Sequence, residues 1–148
     1  MSLTSKLTAR IMETWAHGQD VADALGRTRV PTDRLRHVAH IGVRARSFSY
    51  LVRGLPPPAV DVRVELTGPH GDIWEWGDPT SPDRVSGDAE QFCLVVTQRR
   101  HLDDTALRYT AGAAQEWLGI AQAFAGPPGE GRRPGQFDSW TGGSKEGA

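Results

Sequence analysis

Apolar side chains recur every three or four residues in the first third of the chain, which is the spacing of one helix face. A first stripe covers about residues 5–25, and Gly26 can end it. A second stripe follows the turn residues Pro31-Thr32-Asp33 and stops before the Pro56-Pro57-Pro58 run. The stripes consist of Leu7, Ile11, Trp15, Ala22 and Leu25, and of Leu35, Val38, Ile41, Ala45, Phe48 and Val52. The sequence therefore predicts two N-terminal helices.

After residue 60 the pattern changes to alternation of apolar and polar side chains, which is typical of a half-buried strand. The alternating residues are Val62, Val64 and Leu66 on one face and Arg63, Glu65 and Thr67 on the other. A turn-forming stretch at 68–72 separates this strand from a second one at 73–76. The two strands should form a hairpin, and further short strands are expected near 84–86 and 107–109.

Two more helices are predicted in the second half of the chain. Asp88 can cap the first, because an apolar face at i, i+3, i+4 and i+7 follows it. That face consists of Ala89, Phe92, Cys93 and Val96. The second helix covers about 114–125 and is closed by Gly126. These elements predict the α+β class, with a helical segment at 1–54, an α/β domain at 55–126 and a disordered Gly- and Pro-rich tail at 127–148.

Composition narrows the classes of function. Seventeen basic and eighteen acidic residues give a net charge of −1, so no global charge attracts nucleic acid or an anionic membrane. No apolar run approaches the roughly 20 residues that a membrane helix needs. The single cysteine, Cys93, rules out an internal disulfide and lies on an apolar face, so we expect a core thiol. With no signal-peptide pattern at the start, we expect a cytoplasmic protein.

The first helix carries a candidate metal pair. Glu13 and His17 are four residues apart, which places both side chains on one helix face. A carboxylate and an imidazole are suitable ligands for zinc or a similar divalent ion, and Asp20 can orient the imidazole from behind. The alternative is an ordinary solvated helix face.

His37 and His40 lie three apart on the second helix, and Arg44 continues their stripe. They form either a second metal pair or anion-binding face, or an ordinary polar helix face.

The stretch ARIMETWAHGQDVADALG, Ala9 to Gly26, resembles the last bundle helix of mycothiol-dependent maleylpyruvate isomerases and their DinB-like relatives. The stretches RVELTGPHGDIWEWG, QFCLVVTQRRH and WLGIAQAFAGPP resemble the C-terminal domain of a branch of that family. The resemblance implies that a small α/β sandwich, related to the sterol carrier protein fold, follows the two helices.

The same resemblance implies an activity and its residues. In that family a four-helix bundle holds a divalent metal through one earlier histidine and through a glutamate and a histidine that match Glu13 and His17. The implied cofactors are zinc and a low-molecular-weight thiol, and the implied partner is a small-molecule substrate. An arginine of the C-terminal domain holds a substrate carboxylate in these isomerases, and Arg100 is its match here.

The earlier bundle helices of the family have no counterpart in this chain, because only eight residues precede Ala9. We therefore expect an incomplete metal- and thiol-dependent isomerase or transferase-like protein, paired as a homodimer or with a partner that supplies the missing helices. A non-catalytic small-molecule-binding module and a subunit that pairs through its N-terminal helices are the alternatives.

Overall fold

The structure is a computed structural model, and it describes residues 2–137. Within them, five α-helices, four strands and one 3-10 turn build an α+β fold, so the predicted fold class is confirmed. The resemblance to the sterol carrier fold stays a prediction. The helices are α1 (Leu3–Ala24), α2 (Leu35–Arg44), α3 (Arg46–Leu51), α4 (Ala89–Val96) and α5 (Ala113–Ile120). The strands are β1 (Arg63–Thr67), β2 (Ile73–Trp76), β3 (Arg84–Asp88) and β4 (Arg108–Tyr109), and the 3-10 turn is Leu102–Asp104.

The four strands form one mixed sheet in the order β2-β1-β3-β4. The predicted hairpin is present, with β1 and β2 antiparallel and Val64 opposite Trp76. Strand β3 runs parallel to β1, and β4 runs antiparallel to β3. The short strands near 84 and 108 are therefore the other half of the sheet.

The alternation along β1 separates a core face from a charged face of the sheet. Val64 and Leu66 are fully buried. On the other face, Nε of Arg63 lies 3.1 Å from a carboxylate oxygen of Glu65, and Nη2 of Arg84 lies 2.6 Å from the same oxygen. One sheet face thus contributes to the core, while the other is a row of ion pairs.

Helix α4 is the central helix of the core. Asp88 caps it as predicted, since its carboxylate accepts a hydrogen bond from the backbone N–H of Gln91 at 3.0 Å. Phe92 packs edge-to-face on Trp117 of α5, with ring centroids 5.9 Å apart. Cys93 is completely buried, as expected of a core thiol, and burial raises the pKa of its thiol well above the ordinary range.

Two predicted helices have different bounds in the structure. The expected single second helix is broken at Ala45 into α2 and α3. The expected last helix ends at Ile120 instead of residue 125, because the N–H of Ala123 donates to the carbonyl of Val96 at 2.8 Å and cannot continue the helix. The break before α3 brings Ser49 to this same segment, where its hydroxyl accepts from the N–H of Gln122 at 2.9 Å. A long-range hydrogen bond thus accompanies each departure from the predicted helices.

Residues 127–137, the first half of the segment expected to form a tail, contact the rest of the fold. The buried amide of Gln122 accepts from the N–H of Gly129 at 2.9 Å and donates to the carbonyl of Pro127 at 3.0 Å. The N–H of Gly135 donates to the carboxylate of Asp104 at 2.8 Å. The remainder of the predicted tail, 138–148, lies outside the described residues, so disorder there stays a prediction.

Helices α2 and α4 touch at Gly42, where the absence of a side chain lets them approach closely. A Cβ atom built on Gly42 would lie 2.6 Å from Cγ2 of the fully buried Val96. Gly119 in α5 has no such close neighbour, since a Cβ atom built there would meet no atom within 4 Å.

We expect Gly42→Ala to lower the free energy of unfolding by about 1–3 kcal/mol, because the added methyl group forces the α2–α4 contact apart. The matched change Gly119→Ala should raise it by about 0.5 kcal/mol through helix propensity. Urea unfolding of the two variants and the wild type measures both effects. A Gly42→Ala protein as stable as the wild type would show that the two helices do not pack this closely.

Candidate functional site

Two arginines at the end of α4 attach α1 to the rest of the fold. The guanidinium of Arg99 donates to both carboxylate oxygens of Asp20, at 3.1 and 2.9 Å. The guanidinium of Arg100 does the same to Asp23, at 2.8 and 2.6 Å. We call these two bidentate contacts the arginine clamp. Because Asp20 and Asp23 lie three residues apart, both face α4 from the same side of α1.

The turn after α4 aims both arginines at α1. Gln98 adopts the left-handed conformation, with φ of 58°. The N–H groups of Gln98 and Arg99 return to the carbonyls of Val95 and Leu94, at 3.0 and 2.8 Å. This is the Schellman arrangement, in which glycine is the usual residue at the left-handed position. The side chain of Gln98 stabilises the turn by donating to the carbonyl of Ala121 at 3.1 Å.

The inner ion pair of the clamp is the more buried one. The Arg100 side chain is 1% exposed and the Asp23 side chain 10% exposed. Burial on its own raises the pKa of Asp23, but the hydrogen bonds from Arg100 and Gln19 and the charges of Arg100 and Arg132 outweigh it, so the net pKa is lowered. In the native state, Asp23 therefore stays ionised at pH values below the ordinary pKa of an aspartate.

Glu13 and His17 lie on the exposed side of α1 next to the clamp. Both belong to α1, both are exposed, and both line one cleft of about 550 Å³. Arg99 and the chain segment 129–132 form the opposite wall. The structure therefore places the two residues of the predicted metal pair side by side at the same opening.

Asp20 connects the predicted pair to the clamp. Its Oδ2 lies 3.9 Å from Nδ1 of His17, and Arg99 and Arg132 also contact its carboxylate. These arginines hold the carboxylate near the imidazole, at a distance longer than a direct hydrogen bond.

The described residues supply no third metal ligand beside the pair. Among residues 2–137, no group of three or more histidine, cysteine, aspartate or glutamate side chains is arranged to hold a metal ion. Glu130 lines the same cleft without completing such a group. The described part of the chain thus offers two donors of the right chemical kind, but not the three protein ligands that catalytic zinc normally has.

Arg100, the predicted carboxylate-binding residue, is committed to Asp23. Its guanidinium also stacks on the ring of Phe137, with 4.2 Å between its central carbon and the ring centroid. It would have to leave Asp23 to bind a substrate carboxylate, and that role stays a prediction. Arg132, 31% exposed in its side chain, lines the cleft with Glu13 and His17 instead. The sequence pattern did not identify Arg132, because it lies in a Gly- and Pro-rich segment without periodicity.

Comparison with known proteins identifies two relatives. The chain is 57% identical over 132 residues to two sequences of Mycobacterium tuberculosis, named uncharacterized protein MT0041 and uncharacterized protein Rv0036c. The match includes 89% of this chain and 51% of each relative, so the chain spans about half the length of the curated relatives it matches. No family model and no solved structure matches the chain. Within residues 2–137, none of the helices has both the length and the apolar character required to span a membrane.

We expect Asp23→Asn to lower the free energy of unfolding at pH 7 by about 2–3 kcal/mol, because it removes the carboxylate from a buried, bidentate ion pair. Since the native pKa of Asp23 is lowered, the wild-type advantage should be complete above about pH 4 and disappear as the pH falls through that native pKa. Urea unfolding from pH 7 to pH 2.5 measures this difference. Asp33→Asn, at an exposed carboxylate, should change stability by less than about 0.5 kcal/mol. Equal stability of Asp23→Asn and the wild type at pH 7 would contradict the clamp.

Proposed function

We propose that this chain contributes half of a divalent-metal site, Glu13 and His17, to a metal- and thiol-dependent isomerase or transferase-like protein. The observation that carries the proposal is that these two side chains open onto one cleft, with Asp20, held by Arg99, 3.9 Å from the imidazole. Ligand histidines in metal sites commonly have a carboxylate as their neighbour.

Glu13 and His17 are the chemical types of ligand that zinc binds, but they are fewer than a zinc site needs. One imidazole nitrogen and one carboxylate are ordinary zinc ligands, and both side chains are exposed enough to reach an ion. Two ligands on one helix bind weakly, so full affinity needs a further ligand. The match covers 51% of each relative, so the rest of a relative has room for such a ligand outside the matched region.

A second copy of the chain is the other source of the missing ligand. Helix α1 exposes the apolar side chains of Leu3 and Val21, and Leu25 directly follows the helix; each is more than half exposed. Exposed apolar surface of this kind favours association. The proposal therefore includes a homodimer, or a partner helix, packed along α1.

In the proposed site, the bound metal would supply a Lewis acid that lowers the pKa of a small thiol. The residues of the chain have separate tasks. Asp20, with Oδ2 3.9 Å from Nδ1 of His17, places a negative charge beside the imidazole. Arg132 gives the opposite wall a positive charge, which suits a substrate carboxylate. Its contact with Asp20 is 3.5 Å long, so it is less firmly held than Arg99.

Zinc titration by calorimetry tests the proposal. We expect the wild type to bind Zn²⁺, and Glu13→Gln and His17→Gln each to weaken binding by about tenfold or more, since each removes one of two ligands. His70→Gln is the matched control, because it removes an exposed histidine from the turn between β1 and β2 and should leave binding unchanged. Light scattering of the same samples reports whether the metal-bound chain is paired.

Equal zinc affinity in all four proteins, or no binding in any of them, would exclude Glu13 and His17 as a metal half-site. The alternatives would then be a non-catalytic small-molecule-binding module or a subunit that pairs through its N-terminal helices.

A further inference from the structure

A second cavity lies on a different side of α1, away from Glu13 and His17. It is a groove of about 650 Å³ between α1 and the loop that leads to α2. Ile11 and Trp15 form one wall, and Val30 and Pro31 form the other. A volume of this size suits a small organic ligand.

The apolar walls of the groove are exposed where an apolar ligand would contact them. Leu7 is 54% exposed and Val30 87% exposed. Trp15 is half-buried, so its ring supports the groove from within the fold while one side of it remains accessible. These residues provide a surface for the hydrocarbon part of a ligand.

A fixed arginine lies beside the apolar walls. Nη1 of Arg29 donates to the carbonyl of Trp15 at 2.7 Å, and the guanidinium stacks over the Trp15 ring at 5.4 Å from its centroid. A Cβ atom on Gly18 would lie 3.1 Å from Nη2 of Arg29, so the glycine leaves room for this position. The guanidinium is thus preorganised by two contacts on α1, which lowers the entropic cost of binding an anion.

The charge around the groove is positive. Arg10, Arg29 and Arg34 line it, against a single carboxylate, Glu90. Burial and the neighbouring Asp88 raise the pKa of Glu90, while the charges of Arg29 and Arg100 act in the opposite direction. The excess of cations next to an apolar wall complements a ligand that is apolar at one end and anionic at the other.

We propose that this groove is a binding site for a small apolar carboxylate, with its hydrocarbon part against Ile11 and Trp15 and its carboxylate at Arg29. The proposal is independent of the metal half-site, because none of the groove-lining residues lines the Glu13–His17 cleft. A carboxylate fits better than a neutral ligand, since the planar guanidinium can donate two parallel hydrogen bonds to it.

Decanoate and decanol are the probes, because they share one alkyl chain and differ in charge. We expect decanoate, titrated into the full chain labelled with ¹⁵N, to shift the indole N–H signal of Trp15, which Trp15→Phe identifies. Decanol should bind at least about tenfold more weakly, and Arg29→Gln should weaken decanoate binding by a similar factor. Arg27→Gln, a neighbouring exposed arginine outside the groove, is the matched control and should leave affinity within about twofold.

A second variant keeps the test decisive if Arg29→Gln disturbs the loop. Thr14 is exposed and lines the groove, so Thr14→Trp fills it without removing any of the charged contacts. This variant should retain the wild-type unfolding midpoint and lose the decanoate-induced shift. Two results with ligand would overturn the proposal: equal affinity for decanoate and decanol, or no shift of the Trp15 signal. A Trp15 shift that follows protein concentration without ligand would also overturn it, because it would show a second copy of the chain in the groove.

Discussion

The arginine clamp is the interaction on which the arrangement of the molecule depends. Without it, α1 would be joined to the rest of the fold mainly by its contact with α2, because the sheet packs against α4 rather than against α1. Arg99 and Arg100 bring two cations from the end of the central helix onto Asp20 and Asp23. A buried ion pair costs desolvation, and bidentate geometry with added hydrogen bonds offsets that cost. The clamp therefore fixes both the rotation and the position of α1.

Fixing the rotation of α1 determines what each side of the helix can do. The side next to the clamp presents Glu13 and His17 to a cleft that Arg99 and Arg132 also line. A different side presents Ile11 and Trp15 to an apolar groove with a cationic rim. Each opening lies between α1 and a loop or chain segment, 129–132 in one case and 29–34 in the other. One helix thus borders two openings with different linings.

Local patterns were enough to predict most of the fold. Alternation at 62–67, the turn at 68–72 and the cap at Asp88 depend on neighbouring residues, and the structure has the hairpin and the capped helix at those places. The early end of α5 could not be predicted, because it depends on a hydrogen bond between residues 96 and 123, and the break at Ala45 interrupts a continuous apolar stripe without any local signal. Contacts between distant residues leave no periodic signal in the sequence.

The candidate site likewise has features that the sequence predicts and features that it does not. The four-residue spacing of Glu13 and His17 correctly predicted neighbours on one helix face, since that follows from helix geometry. The pairing of Arg100 with Asp23 could not be predicted, because it depends on a left-handed Gln98 that the sequence does not signal. Glu130 and Arg132 were missed, since a Gly- and Pro-rich segment gives no expectation of packing against α1.

The central claim is that the fixed α1 presents Glu13 and His17 together as metal ligands. X-ray absorption spectroscopy of the zinc-loaded chain tests it most directly, because the fine structure distinguishes imidazole, oxygen and sulfur ligands. The account predicts imidazole nitrogen at roughly 2.0 Å together with oxygen ligands, and loss of the imidazole signal in His17→Gln. An imidazole signal that persists in that variant, or a sulfur ligand at roughly 2.3 Å, would contradict it.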